Sequence, residues 1–189
     1  MDFSTSMTGA FCVILTAKGS VWNFPFGIYS SIAYACLSFK NHLYAETASC
    51  ILLSVPATVI SFFAWKKHSQ NSTVEMKKLS VKKIVYLILT SVIITFFVGT
   101  FLSKIKNQNN PFLDGSTVII SNIARVLKIL RFREQWIAYT VLNITTVVKW
   151  TFRLKANSKE ASMMILMWGA YFINSIYAFF VWTKGADKK

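Results

Sequence analysis

The stretch Glu134-Gln135-Trp136-Ile137-Ala138-Tyr139-Thr140-Val141-Leu142-Asn143 carries the side chains best suited to grip a solute. On a helix, Trp136, Tyr139 and Asn143 fall at i, i+3 and i+7, so they share one face. Two aromatic rings and a carboxamide suit a flat heterocycle with a hydrogen-bonding edge, or a ribose hydroxyl. Stacking on such a platform is worth about 1–3 kcal/mol per base. The same residues also read as an interfacial Trp/Tyr pair with an Asn that joins helices. Asn174 and Tyr177, at i and i+3 in Tyr171-Phe172-Ile173-Asn174-Ser175-Ile176-Tyr177, make a second polar face. An uncharged amide there bonds either a neighbouring helix or a solute. Arg125 sits inside an apolar run, on a stripe with Ser121 and Lys128. Such a cation either meets an anionic ligand, for instance a phosphorylated nucleoside, or snorkels to the interface.

Other chemistry is missing. There is no G-x-x-x-x-G-K-[ST] loop for ATP. The seven acids avoid the middles of the apolar runs, with Glu46 and Asp114 at their entrances. Ion-coupled carriers bury carboxylates for proton relay. His42 and His68 stand in polar connections, and no nucleophile–base pair or metal-ligand spacing occurs. The three cysteines, Cys12, Cys36 and Cys50, lie in apolar runs and read as reduced, buried and lipid- or core-facing. These absences argue against an enzyme, an energised pump, a metal and a cofactor.

The elements that position these residues are membrane helices. Of 189 residues, 54% are apolar and only 15% charged, with a mean hydropathy of +0.46. Soluble domains average about 25% charged. Sixteen Phe, seven Tyr and six Trp argue against disorder. Uncharged or nearly uncharged runs cover Phe3–Ala17, Trp22–Phe39, Thr47–Trp65, Ile84–Ser103, Phe112–Leu130, Gln135–Val148 and Ala161–Thr183. The expectation is seven transmembrane helices, because lipid leaves each span to satisfy its own backbone. The first run lacks a basic n-region and an A-x-A site, so it reads as retained. Pro25 fits a first turn after an Asn23 cap. Pro56 predicts a kink or hinge in the third span.

The net charge of +14 belongs to the connections, not to nucleic-acid binding. One side of a seven-span topology receives Lys18, the six lysines from Lys66 to Lys83, Lys128, Arg131, Arg133 and the three tail lysines. The other side receives Lys40, Lys104, Lys106, Arg153, Lys155 and Lys159. The positive-inside rule then puts the amino terminus outside and the carboxyl terminus in the cytoplasm.

Trp22 and Trp65 are spaced much as Trp136 and Trp182 are, and each second Trp leads into a basic exit. This predicts two like-oriented three-helix repeats: residues 1–67, then a linker helix and loops over 68–110, then residues 111–189 with the basic tail. Parallel repeats occur in small transporters, with the site near the midplane at their interface. Interfacial enrichment of Trp would produce the same spacing by coincidence.

Four segments give the chain a resemblance to the PnuC-type nicotinamide riboside transporter family. They are Ala17-Lys18-Gly19-Ser20-Val21-Trp22-Asn23 with Gly27 and Tyr34, and Leu43-Tyr44-Ala45-Glu46 through Pro56 to Phe62-Phe63-Ala64-Trp65. The others are Pro111-Phe112-Leu113-Asp114 through Glu134-Gln135-Trp136 to Asn143, and Ile173-Asn174-Ser175-Ile176-Tyr177 to Trp182. The resemblance implies an all-α membrane protein of three plus one plus three helices, similar to SWEET proteins. It also implies a homotrimer in a bacterial inner membrane. The function implied is a facilitative uniporter for nicotinamide riboside or a related nucleoside or vitamin precursor, trapped afterwards by a cytoplasmic kinase. The family motif W-x-x-W-x-x-x-N keeps Trp136 and Asn143, with Tyr139 in place of its second Trp. Cys50 stands where an amide is usual, and Arg125 where the family is neutral. The substrate-binding set expected is Trp136, Tyr139, Asn143, Asn174, Tyr177, Cys50 and Arg125. Those departures also motivate an alternative: a non-transporting or degenerate membrane interaction protein of the same fold.

Overall fold

The computed structural model describes residues 3–40, 50–70, 73–104, 111–155 and 161–187. Seven α-helices run through them: α1 (Phe3–Ala17), α2 (Asn23–Lys40), α3 (Val55–Lys66), α4 (Val81–Leu102), α5 (Pro111–Ile129), α6 (Gln135–Lys155) and α7 (Ala161–Ala186). A π-helical turn, Cys50–Ser54, leads into α3, and a two-stranded antiparallel hairpin pairs β1 (Ser69–Gln70) with β2 (Thr73–Val74).

Several boundaries differ from the apolar runs for physical reasons. Pro56 has no N–H to donate back along a helix. The chain is π-helical up to Ser54, and regular α geometry starts at Val55, so the expected irregularity is a change of helix type. Helix α6 runs seven residues beyond the uncharged run, through Lys149 and Arg153. Lys149, Arg153, Leu154 and Lys155 are good helix formers, so the arrival of charge does not by itself end the helix. At 21 residues α6 is about 30 Å long, enough to cross a hydrocarbon core.

Two compact units form. The first comprises Met1–Met76, Lys128–Arg131 and Val181–Lys189; the second comprises Lys77–Leu127 and Phe132–Phe180. In the first unit α1 packs on α2, and α2 on α3. Its centre is aromatic. The rings of Phe24 and Trp65 meet edge-on at 5.1 Å, and those of Trp65 and Trp182 lie 5.4 Å apart. Both buried indoles find backbone acceptors. Trp65 Nε1 donates to the Lys128 carbonyl (2.8 Å), and Trp182 Nε1 to the Ala17 carbonyl (3.0 Å). Lys128 Nζ donates to Asn23 Oδ1 (3.3 Å) and Thr16 Oγ1 (3.5 Å), and sits over the rings of Phe24 and Trp65. It therefore turns inward rather than snorkelling, because two π faces and two oxygens solvate its charge. Asn23 does not cap α2. Its oxygen is taken by Lys128, and its nitrogen donates to the Ser20 carbonyl.

The turns after α1 and α5 share one hydrogen-bond pattern. Ser20 N–H bonds the Leu15 carbonyl and Gly19 N–H the Thr16 carbonyl; Phe132 N–H bonds that of Leu127 and Arg131 N–H that of Lys128. These are Schellman closures. The residue at the left-handed position is Gly19 (φ 69°) in one and Arg131 (φ 66°) in the other. Arg131 tolerates it while its guanidinium holds Glu75 at 3.4 Å. The two patterns match at an offset of 112 residues, the separation of Thr16 and Lys128. That offset pairs Phe24, not Trp22, with Trp136. Trp22 is 65% exposed whereas Trp136 is 2% exposed, so the Trp spacing seen in the sequence does not mark equivalent environments.

In the second unit, α4 leaves Tyr86, Leu89, Val92, Ile93, Phe96, Phe97 and Phe101 uncovered. Such a surface is stable only against lipid or another apolar partner. By length and composition, Val81–Phe101 and Ile165–Ala186 are each apolar enough to cross a membrane. Gly99 lets the Phe112 ring of α5 lie directly on the α4 backbone, where a β-carbon would collide with it.

Replacing Gly19 with Ala strains the left-handed turn and drives a methyl into Met76. The expected loss is about 1–2 kcal/mol, with crowding in addition. Thermal unfolding of the detergent-solubilised variant measures it, as a lowered midpoint.

Candidate solute site

The start of α6 is held from two directions. Glu134 is 5% exposed; its Oε2 accepts the Leu79 N–H (3.1 Å) and its Oε1 the Arg133 Nε–H (3.1 Å). A carboxylate also suits a helix N-terminus, where backbone N–H groups are unpaired. Arg133 N–H bonds the Lys77 carbonyl (2.8 Å), and the guanidinium lies over the Phe179 ring of α7. These bonds fix the direction in which Gln135 and Trp136 leave the turn.

Further along, α6 and α7 meet through small polar groups. Thr140 Oγ1 is 2.9 Å from Ser175 Oγ, and Asn143 Nδ2 donates to Ser175 Oγ at 3.4 Å. Asn143 and Ser175 are 3% and 1% exposed. Asn143 thus does join helices, through its nitrogen. Trp136 is buried and Tyr139 half-buried, with ring centroids 5.8 Å apart and planes tilted by 51°. A heterocycle between two parallel rings needs them about 7 Å apart. Here Trp136 and Tyr139 touch each other, as i, i+3 neighbours do, so they offer an aromatic wall rather than a slot.

Two amides break the rule that buried polar atoms are bonded. Gln135 is fully buried, and neither its Nε2 nor its Oε1 has a partner among the described residues. Asn174 Nδ2 is also buried and has no partner among the described residues. Both residues belong to the second unit, Gln135 beside Trp136 in the chain and Asn174 beside Ser175.

The remaining expected residues spread out. Tyr177 is 55% exposed. Arg125 is half-buried and donates to Asn122 Oδ1 on its own helix (3.2 Å), which satisfies one of its nitrogens. Cys50 opens the π-helical turn, and its side chain lies outside the described residues. Gln135, Thr140 and Ser175 were absent from the expected set. Their signal was available: small hydroxyl residues in apolar helices mark helix–helix contacts, and Gln135 directly precedes Trp136. Cys12 and Cys36 are free thiols. No group of three metal-binding side chains occurs among the described residues.

Residues 1–184 match the family described as nicotinamide mononucleotide transporter. The chain belongs to that family. The nicotinamide riboside transporter PnuC of Neisseria mucosa is 34% identical over 185 residues, which cover 95% of this chain and 70% of the relative. The protein of the same name from Haemophilus influenzae is 32% identical, covering 95% and 77%. A crystal structure of the vitamin B3 transporter PnuC superposes with a TM-score of 0.81 at 33% identity, covering 98% of this chain and 81% of that one. Members of the family are transporters, and the chain is a multi-pass inner-membrane protein of that kind.

Gln135→Met keeps the side chain's length and removes both amide atoms. An unbonded buried amide costs about 1–3 kcal/mol, so the unfolding midpoint in detergent stays level or rises. Affinity for nicotinamide riboside falls about tenfold, about 1.4 kcal/mol. Loss of stability together with unchanged affinity would mark Gln135 as purely structural.

Proposed function

We propose that the protein carries nicotinamide riboside across the inner membrane down its gradient, with the solute trapped inside by a cytoplasmic kinase. The observation that carries this reading is a set of buried amide atoms without partners among the described residues, Gln135 Nε2 and Oε1 and Asn174 Nδ2, next in the chain to Trp136 of the aromatic wall and to Ser175 of the Asn143–Ser175 bond. A pyridine ring packs on aromatic faces, and a carboxamide and ribose supply what free amides need. The relatives' names support the same solute.

The family description names the mononucleotide, which adds a phosphate. A phosphate calls for cations. Arg133 is engaged by Glu134, and Arg125 by Asn122. Around Thr140, Asn143 and Ser175 the hydrogen bonds are between neutral groups. The riboside therefore suits this seam better than its phosphate. Arg125→Gln then leaves riboside affinity within about twofold, whereas a mononucleotide site would lose its ligand selectively; competition between the two compounds measures the difference.

Two like-oriented three-helix repeats joined by α4 fit the matched turns at residues 15–24 and 127–136. Rocking of one against the other, with the π-to-α transition at Pro56 as a hinge, would expose the site to each side in turn. A homotrimer, an outside amino terminus and a cytoplasmic carboxyl terminus complete the proposal, the last two from the lysine and arginine asymmetry of the loops.

Proteoliposomes containing the purified protein should take up labelled nicotinamide riboside until internal and external concentrations are equal, with no effect of a protonophore. No uptake above protein-free liposomes would contradict transport and favour a non-transporting member. Accumulation that collapses with the protonophore would contradict facilitation.

A further inference from the structure

The two ends of a carboxamide have nearly the same shape, so only its partners decide which way it lies. The partners of Asn143 can be counted. Ser175 Oγ lies 2.7 Å from the Phe172 carbonyl, 2.9 Å from Thr140 Oγ1 and 3.4 Å from Asn143 Nδ2. Thr140 Oγ1 lies 2.7 Å from the Trp136 carbonyl. Three of these contacts join oxygen to oxygen, and only the two hydroxyls bring protons, one each. Their protons are spent within that trio. The remaining contact is a hydrogen bond only if Asn143 supplies the proton itself, from Nδ2. With the amide turned over, Oδ1 would face an oxygen whose proton already serves a shorter bond.

We infer that Ser175 and Thr140 are positioning residues: they hold the Asn143 carboxamide with its nitrogen toward α7, so that Asn143 offers a solute its carbonyl oxygen. The inference rests on the proposed riboside function and on the expectation from the sequence that Asn143 belongs to the substrate-binding set. It gives the site a chemical preference. An acceptor selects a hydrogen-bond donor, either the N–H of a neutral carboxamide or a sugar hydroxyl. It repels a carboxylate at the same place. The amide form of a pyridine nucleoside is thus favoured over the acid form by an orientation that a buried serine sets. Without Ser175 the amide is free to rotate, and its nitrogen can then serve an acceptor on the solute.

The test is equilibrium binding to the purified full-length protein, followed by tryptophan fluorescence. The ligands are nicotinamide riboside, nicotinic acid riboside and the 2′-deoxy form of nicotinamide riboside. The wild-type protein should prefer the amide to the acid by about tenfold or more if the carboxamide is the donor. If the sugar hydroxyl is the donor, it should instead prefer the riboside to its deoxy form by a similar factor. Ser175→Ala should bring whichever ratio is large down by about tenfold, toward one. Ser175→Thr, which restores the hydroxyl, should recover it. Thermal unfolding of each variant reports whether it is folded, and Ser175→Thr keeps the test open if Ser175→Ala is not. If Ser175→Ala weakens all three ligands by one common factor, Ser175 only packs the helices and the inference is overturned. The same holds if Ser175→Thr behaves as Ser175→Ala does. If Asn143→Ala leaves all three affinities unchanged, the site reading fails first and takes the inference with it.

Discussion

A polar group withdrawn from water inside a bilayer must find a partner in the protein, and this requirement organises the chain. Trp65 and Trp182 bury entire indoles with each N–H on a carbonyl in the last turn of α1 or α5. Thr and Ser side chains along the helices bond the carbonyls one turn back. Lys128 brings a charge inward because two oxygens and two ring faces receive it. Against that background Gln135 Nε2 and Oε1 and Asn174 Nδ2 are exceptions among the described residues, and the proposed solute would supply their partners.

The same requirement explains what was legible in the sequence. Runs without charge located six of the seven helices, because backbone satisfaction makes a long apolar run helical in lipid. The run at 112–130 carries charges, yet α5 forms there. Lys128 is solvated internally, which hydropathy alone does not reveal. The shared face of Trp136, Tyr139 and Asn143 followed from helical spacing. Their arrangement did not follow from it, because spacing cannot tell an aromatic slot from two rings in contact. Ser175 escaped notice for a related reason. A serine in an apolar helix is common, and its role appears only when Thr140 and Asn143 are brought against it from another helix.

The correspondence between the turns after α1 and α5 lies in backbone geometry more than in residue types. At one left-handed turn the chain uses Gly19, which pays no steric cost. At the matching turn it uses Arg131, which accepts strain and gains the bond to Glu75. Phe24 and Trp136 occupy matched positions with different rings, and Asn23 and Gln135 with different amides. Asn23 is bonded on both ends while Gln135 is bonded on neither. Matched turns with unmatched polar occupancy fit the proposed carrier. They also account for how few charges the reading of the site requires.

The most direct measurement is an experimental structure of the protein with nicotinamide riboside bound. The account predicts the pyridine ring within about 4 Å of the Trp136–Tyr139 wall. It also predicts solute atoms within about 3.2 Å of the Gln135 or Asn174 amides. A solute bound elsewhere, with both amides still unbonded, would contradict it.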